Sequence, residues 1–384
     1  MLSGHRSYKQ MMRLLRRTMY ILLGIIALLA VVAVLVLQLP SFGAMPAGDR
    51  LKRIEASANY QDGHFHFPIE TPMMAPGVSY WQLVIKYLRP VANREPTKPL
   101  PSVKTDLNSL GADTSGGSPV VVWFGHSSYL IKLEGQTILV DPVFSDRPSP
   151  IAVLGTKSYP GTNVYSVDDL PPIDVVVITH DHYDHLDYDT ILKLIPKAKQ
   201  FHTALGVGAH LARWGVAESA IHEYDWGEGG PVGRGLSLRA VRARHFSGRG
   251  LVNGKTLWTA FVLQSPSHKL FLGGDSGYGP HFREIGDAYG PFDLALLEAG
   301  QYDVQWPLIH MMPEETVQAA VDLRANVLMP VHWGKFTLAL HAWTEPVERV
   351  LKKAAELNVT VTTPLIGEPI VVGQTYPQKR WWAF

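Results

Sequence analysis

Cysteine is absent from all 384 residues, which removes disulfides, thiolate metal sites and a cysteine nucleophile, and leaves histidine and carboxylate to hold any metal. A lipid-modified cysteine anchor is excluded on the same ground. The lack of thiols suits an oxidising compartment. Excess charge is also missing: 35 Lys and Arg face 34 Asp and Glu, a formal net charge of +1. No global field therefore draws the chain to nucleic acid or another polyanion, and no nucleic-acid partner is expected. Internal repeats and low-complexity tracts are lacking. Long elements are precluded between residues 40 and 118 by Pro68, Pro72, Pro76, Pro90, Pro96, Pro99 and Pro101. What the chain does have is 46 % hydrophobic residues, enough for one large two-layer domain with an appendage, and 16 histidines.

Residues 19–37 carry no charge at all. At helical rise they make roughly 28 Å, about the hydrocarbon thickness of a bilayer. Arg6, Lys9, Arg13, Arg16 and Arg17 precede them with no acidic residue, whereas the flank from Asp49 onward is mixed in sign. The positive-inside bias then predicts a cytoplasmic tail over 1–18, a transmembrane helix over 19–39, and everything beyond on the extracytoplasmic side of a bacterial inner membrane. The alternative is a cleaved signal peptide, with small residues near Ser41, Gly43 and Ala44 at plausible cleavage positions, although the apolar run exceeds an ordinary signal core. The Arg16-Arg17 pair matches a twin-arginine signal poorly. Residues 40–118 read as an irregular extension packed on the main domain, because Tyr60, Phe65, Phe67, Tyr80, Trp81 and Tyr87 make it too aromatic for a free linker. Residues 111–118 are the best boundary, and 119–384 form the main domain.

Beyond Ser118, short runs rich in β-branched residues predict strands at 120–124, 129–133, 137–140, 175–179, 236–241, 257–263, 270–272, 294–297 and 327–330. Helices are expected at 188–194, 207–214, 314–323 and 345–356, the third starting with Pro313, Glu314 and Glu315, which suits a helix N-terminus. This order fits two mixed sheets between helix layers, an α/β sandwich.

The chemistry is concentrated where one apolar run stops. Val175-Val176-Val177-Ile178-Thr179 leads directly into His180-Asp181-His182-Tyr183-Asp184-His185-Leu186-Asp187. Such a crowd of imidazoles and carboxylates would cost several kcal/mol to bury unless a cation satisfied it. Alternate residues of an extended loop send His180 and His182 one way, and the following turn sends Asp184 and His185 another, so one loop can feed two adjacent metals. The competing reading is a solvated histidine-rich turn. Four residues are too few for two sites. His245, Asp275 and His332 each follow an apolar run and offer the remainder, with Gly273 and Gly274 permitting close backbone approach beside Asp275.

The set resembles the metallo-β-lactamase superfamily. The flanking residues Gly125-His126-Ser127, Asp141-Pro142, Gly274-Asp275-Ser276-Gly277-Tyr278, Gly290-Pro291-Phe292-Asp293, Ile309-His310 and His332-Trp333-Gly334 are similar to its N-acyl-phosphatidylethanolamine-hydrolysing phospholipase D branch and to ascorbate-lactonase-like proteins. The resemblance implies that His180, His182 and His245 hold one zinc, that Asp184, His185 and His332 hold the other, and that Asp275 bridges. A class B β-lactamase often uses a cysteine ligand, which this chain lacks. Two such cations acidify a shared water and polarise the oxygen it attacks, with Asp184, Asp275 and His310 the implied catalytic residues. Tyr278, Gln301, Tyr302 and His310 match pocket-lining positions of the similar phospholipase. His126, Asp141 and Asp187 are expected to orient ligating imidazoles, and Asp181 to act as a proton shuttle or ligand partner. The loop at Phe246, Ser247, Gly248 and Arg249 departs from the phospholipase pattern. The terminal Lys379, Arg380, Trp381, Trp382 and Phe384 suggest a lipid-touching patch, or else docking onto the domain.

The functional expectation is a membrane-anchored dinuclear zinc phosphodiesterase acting on a membrane phospholipid. The alternatives are a lactone or carboxylic ester hydrolase using the same metals, and a non-enzymatic envelope protein with structural zinc. The sequence leaves the oligomeric state open.

Overall fold

A computed structural model describes residues 3–111 and 117–383. The centre of the expected boundary at 112–116, the first two residues of the tail and Phe384 lie outside the described residues, as do the side chains of Arg6 and Lys9. The N-terminal run is part of one helix, α1 (Ser3–Leu37). It starts inside the basic tail and stops two residues short of the expected span, where Pro40 opens a 3-10 turn. Residues 10–37 are long and apolar enough to cross a membrane, and the domain buries none of their most apolar window.

The extension is less irregular than its prolines suggest. It contains α2 (Gly48–Glu55), a small hairpin of β1 (Tyr60–Gln61) and β2 (His64–Phe65), and α3 (Tyr80–Tyr87). A capping box starts α3: Gln82 N donates to Ser79 Oγ, and Ser79 N to Gln82 Oε1. Ile54, Phe65 and Leu107 are buried in the main core, so the extension is packed on the domain.

Two seven-stranded sheets form the domain. In the first, β16 (Pro369–Val371) borders β3 (Val120–Trp123), followed by β4 (Tyr129–Leu133), β5 (Gln136–Val140), β6 (Ile173–Ile178), β7 (Ala198–Ala204) and β8 (Ile221–Tyr224). In the second, β15 (Thr360–Val361) borders β14 (Val327–Val331), then β13 (Leu294–Glu298), β12 (Lys269–Leu272), β11 (Ala260–Gln264), β10 (Leu236–Val241) and β9 (Gly229–Gly233). Val175 and Val177 share a core with Leu270, Leu272, Leu294 and Leu296 of the other sheet. Their neighbours Val176 and Ile178 pack instead with Ile191 of α4 (Tyr188–Leu194) and Leu211 of α5 (Gly208–Arg213). Phe271 and Leu297 likewise face Phe282 of α6 (His281–Tyr289), Val317 of α7 (Pro313–Asp322) and Val350 of α8 (Glu345–Leu357). Strands buried on both faces read as continuous apolar runs, and the result is an αββα sandwich.

The C-terminal tryptophans take the second of their two expected roles, docking onto the domain. Trp381 and Trp382 are buried, stacked among Trp123, Trp333 and Trp343, and Trp382 Nε1 donates to Glu348 at 2.7 Å. These two tryptophans close the end of the sandwich and are not available to lipid.

Candidate metal centre

Parallel pairing decides which loops meet. β5 lies beside β6, and β12, β13 and β14 are parallel neighbours, so the residues leaving their C-terminal ends share one edge. Those residues are Asp141, the segment from Thr179 to His185, Asp275, Glu298 and His332. His245 joins them from beyond β10. Gly274 has φ +58°, and a Cβ there would stand 2.9 Å from Thr179 Cβ, so the Asp275 loop reaches the His180 loop only because this position lacks a side chain.

All seven expected ligands converge. His180 Nε2 lies 3.0 Å and His245 Nε2 3.2 Å from His182 Nδ1, and these two Nε2 atoms are 3.8 and 3.7 Å from Asp275 Oδ2. On the other side, His185 Nε2 is 3.2 Å from Asp275 Oδ2 and 3.7 Å from Asp184 Oδ2, and His332 Nε2 is 3.9 Å from Asp184 Oδ2. A tetrahedral zinc with bonds of about 2.0–2.1 Å separates its ligand atoms by about 3.3–3.4 Å, close to this spacing.

Tautomers make the argument sharper. His185 Nδ1 donates to Asp141 Oδ2 at 2.8 Å, and His245 Nδ1 to Ile309 O at 2.8 Å. The Thr179 hydroxyl donates to Asp141 Oδ2 and so accepts from His180 Nδ1 at 3.0 Å. In each of these rings Nδ1 carries a proton and Nε2 is aimed inward. His185 Nε2 and Asp275 Oδ1 are buried with no hydrogen-bond partner, an unmet demand that a cation bound among these atoms would satisfy. The donor set fits one: three groups of histidine and carboxylate atoms can hold a metal here, two of them together containing all seven expected ligands.

Electrostatics agree. Burial, joined by neighbouring imidazoles, holds His180 well below the ordinary imidazole range, and burial does the same to His245 and His332. Burial opposes ionisation of Asp184 and Asp275, yet His185 and its neighbours keep both well below the carboxylate range. His180, His182, His245 and His332 are thus neutral imidazoles and Asp184 and Asp275 ionised carboxylates, the forms that bind a divalent cation. Burial opposes protonation of His185, but Asp275, Asp184 and Asp141 hold it well above the imidazole range, so a cation there would take the place of its Nε2 proton.

The surrounding residues divide. Asp141 touches His185 as expected. His126 Nε2 instead contacts Asp184 Oδ2 at 2.8 Å, while its ring packs on His332, so it orients a carboxylate. Asp187 receives Ser145 N and Oγ and the Thr190 hydroxyl; it pins the loop after β5 and touches no imidazole of the cluster. Asp181 turns away from the ligands and accepts from Gly248 N and Thr256 Oγ1 and pairs with His210, an arrangement that braces the loop. Tyr278 donates to Asp322 and Tyr302 to Glu345; neither lines the cavity over the centre, because each hydroxyl finds an acceptor on a helix behind it. Gln301 and His310 do line it.

Glu298 was missed by the sequence reading. It is the last residue of β13, with Oε2 2.7 Å from His310 Nδ1 and Oε1 accepting from Ser276 N. Burial raises its pKa to about 7 despite His310 beside it. Burial opposes protonation of His310, but Glu298 and Asp275 raise its pKa to about 9. Its signal was a carboxylate ending an apolar run, the pattern shared by Asp141 and Asp275.

A cavity of about 410 Å³ opens over the centre, walled by Met73, Met74, Tyr80 and Leu83 of the extension and by Phe246 and Trp306. The Phe246–Asn253 side of the departing loop contributes its two end residues to this wall, whereas Arg249 turns inward and donates to Asp181 O, Leu186 O and Ser41 O.

Comparison with known proteins agrees with this geometry. Residues 136–333 match the family described as a beta-lactamase superfamily domain. An uncharacterized protein of Mycobacterium tuberculosis is 41 % identical over 341 residues, covering 85 % of this chain and 88 % of that one. N-acyl-phosphatidylethanolamine-hydrolyzing phospholipase D 1 of Caenorhabditis elegans is 31 % identical over 229 residues, 56 % of this chain and 64 % of that protein. Igni18, a metallo hydrolase of Ignicoccus hospitalis, shares the fold with a TM-score of 0.52 at 23 % identity, covering 66 % of this chain and 97 % of that one. With more than half its length matched to the family and a histidine and carboxylate centre at the expected strand ends, this chain belongs to the metallo-β-lactamase superfamily of metal-dependent hydrolases.

Proposed function

We propose that the chain is a membrane-anchored dinuclear zinc hydrolase of phospholipase D type that cleaves a phosphodiester of a membrane phospholipid, N-acyl-phosphatidylethanolamine or a close relative. The observation that carries the reading is the convergence of the Nε2 atoms of His180, His185 and His245 on the Asp275 carboxylate. His180, His182 and His245 would hold one zinc, Asp184, His185 and His332 the other, with Asp275 between them. Two bound zinc ions supply an acidified water and Lewis acidity toward a phosphoryl or carbonyl oxygen.

The protein's own residues do the rest. Asp141, Thr179 and the Ile309 carbonyl hold the ligand tautomers, and Ser127 Oγ, 2.9 Å from His332 Nδ1, orients the last ring. His310, held at Nδ1 by Glu298, turns its Nε2 to the cavity, where a protonated imidazole would bind a phosphoryl oxygen or return a proton to the departing alcohol. The apolar walls suit acyl chains, and the volume lies within the usual range of small-molecule sites. The phospholipase relative favours a phosphodiester over a carboxylic ester, and α1, whose apolar run follows basic first turns, favours a lipid substrate met on the extracytoplasmic side.

The test is turnover by the purified full chain with zinc on N-acyl-phosphatidylethanolamine vesicles and on bis(p-nitrophenyl) phosphate, beside a panel of acyl lactones. Activity on the first two and none on lactones is expected. A zinc-replete chain inert on both phosphodiesters but active on lactones would sink the phosphodiesterase reading. Asp275→Ala should abolish turnover and lower bound zinc while the near-ultraviolet circular dichroism is retained; wholesale unfolding would indicate structural zinc.

A further inference from the structure

The join between α1 and the domain has no slack. Immediately beyond Leu37 the chain is held by its backbone: Arg213 donates to Gln38 O at 3.1 Å, Trp214 Nε1 to Pro40 O at 2.7 Å, Arg249 Nη2 to Ser41 O at 2.7 Å, and Ala44 N to His210 Nδ1 at 3.0 Å. A spanning helix that ends in such a clamp sets the adjoining protein surface at the level of the lipid head groups.

Exposed apolar side chains stand both beside this exit and beside the metal cavity. Leu251, 85 % exposed, and Val252 line a second cavity with Leu37 and Gln38. The same loop continues to Asn253, which lines the metal cavity with Phe246. That cavity is also walled by α3, whose Tyr80 is exposed and whose outer face carries Trp81, Val84 and Leu88, the first and last 72 % and 77 % exposed. Positions 81, 84 and 88 fall on one helical stripe. Apolar side chains at that spacing, with tyrosine and tryptophan among them, have the character of an interfacial helix, and a contiguous apolar patch of this kind marks an interaction surface.

We propose that this face, from the exit of α1 through Leu251 and Val252 to the outer stripe of α3, rests in the interface of the same bilayer that holds α1, and brings the opening of the metal cavity to head-group depth. Lipid then enters the cavity without leaving the membrane. The inference rests on reading α1 as a retained membrane anchor.

Because the chain has no cysteine, single introduced cysteines give unique nitroxide labels. Full-length Trp81→Cys, Leu88→Cys and Leu251→Cys, with Val321→Cys as an exposed control that lines neither cavity and Leu28→Cys within α1, are reconstituted into phosphatidylethanolamine and phosphatidylglycerol vesicles. Collision rates with oxygen and with a water-soluble nickel chelate are then measured. Positions 28, 81, 88 and 251 should favour oxygen and 321 the nickel chelate. An inserted position 28 with 81, 88 and 251 as wet as 321 would overturn the docking face and leave the anchor standing. A wet position 28 would overturn the anchor and the face with it. Spin coupling between copies at position 88, with nickel access equal to the control, would assign the face to a second copy of this chain and overturn the proposal. Paired substitution Trp81→Glu and Leu88→Glu should reduce turnover of vesicle lipid by about tenfold or more, and leave turnover of a soluble short-chain phosphodiester unchanged. Equal losses on both substrates would count as refutation.

Discussion

Replacing Asp141 by asparagine keeps the side chain's shape, removes its charge and leaves one acceptor oxygen where there were two. Asp141 is 1 % exposed. Its Oδ1 accepts from Thr179 N at 2.8 Å, and its Oδ2 accepts from Thr179 Oγ1 at 2.7 Å and from His185 Nδ1 at 2.8 Å. If the amide oxygen takes the Oδ2 position, the NH2 group meets the Thr179 N–H, donor against donor, and a buried donor is left unmet at about 1–3 kcal/mol. If it takes the Oδ1 position, the NH2 group meets His185 Nδ1, which must then accept. The imidazole proton moves to Nε2, the atom aimed at Asp275 from 3.2 Å, and that nitrogen can no longer ligate. Either arrangement weakens the site, and partners of this kind are worth about 10–100-fold in metal affinity, equivalent to about 1.4–2.7 kcal/mol. Burial pushes the Asp141 carboxyl above its usual range while His185 opposes, so part of the stability loss is offset by no longer burying a charge. Zinc competition against a graded series of chelators should show the site containing His185 weakened in Asp141→Asn and the site containing His180 and His245 nearly unchanged, with turnover recovered at high zinc. An asparagine variant that binds two zinc ions as tightly as wild type would refute the tautomer argument.

Lys335 is buried with Nζ donating to Val143 O at 2.8 Å, and burial lowers its pKa from 10.5 to about 8 although Asp187 and Asp146 oppose. Between those values the unfolded chain binds the proton and the folded chain does not, so stability rises with pH through that window, and the full penalty applies below it. Lys335→Met should therefore be more stable at pH 7, by up to roughly 3 kcal/mol from the size of the shift, with the advantage vanishing near pH 10.5; denaturant melts at several pH values with identical slopes for both proteins would refute this. Gly274→Ala meets both a positive φ and Thr179, and should cost about 1–3 kcal/mol with a larger fractional loss of turnover, because Asp275 is the next residue; wild-type melting and turnover would contradict the close-approach argument. Trp381→Ala should destabilise by about 3–5 kcal/mol and leave vesicle partitioning unaltered, whereas weaker partitioning with unchanged stability would restore a lipid-touching tail.

Legibility of the fold followed how each strand is buried. Strands covered on both faces are unbroken apolar runs, and 120–123, 294–297 and the bulk of 173–178 were readable for that reason, whereas 236–241 was readable from alternation, with Leu236, Leu238 and Ala240 buried and Ser237 and Arg239 exposed. β7 begins Ala198-Lys199-Gln200 and β9 is Gly229-Gly230-Pro231; they lie toward the sheet edges, where half-exposed polar residues and glycine hide the pattern. The helix α6 escaped because His281, Arg283 and Glu284 dilute its apolar face and no capping side chain marks its start. In the extension the proline spacing argued against regular structure, yet α3 fits between Pro76 and Pro90, and its Ser79 and Gln82 capping box was present in the sequence to be read.

The site was legible to the extent that chemistry restricts residue type. A metal ligand must be histidine or carboxylate here, since cysteine is absent, and it must stand where a strand delivers it, so the loop from His180 to His185, His245, Asp275 and His332 each follow an apolar run. Glu298 obeys the same rule and was lost only because the reading closed β13 one residue early. The partners of the ligands follow no such rule. Asp141 and Asp187 are both aspartates close to the motif or its flanking turn, and nothing local distinguishes the one that holds His185 from the one that holds Ser145 and Thr190. The difference is that β5 runs parallel to β6 in a register that sets Val140 opposite Val177, which brings Asp141 beside Thr179, whereas Asp187 lies beyond the turn at the start of α4. Tyr278 and Tyr302 failed for the corresponding reason: a tyrosine hydroxyl goes to whichever acceptor the packing offers, and Asp322 and Glu345, on α7 and α8, are nearer than the cavity. Which residues can ligate is thus a property of side-chain chemistry and strand ends, while which residues hold the ligands in place is a property of pairing between strands.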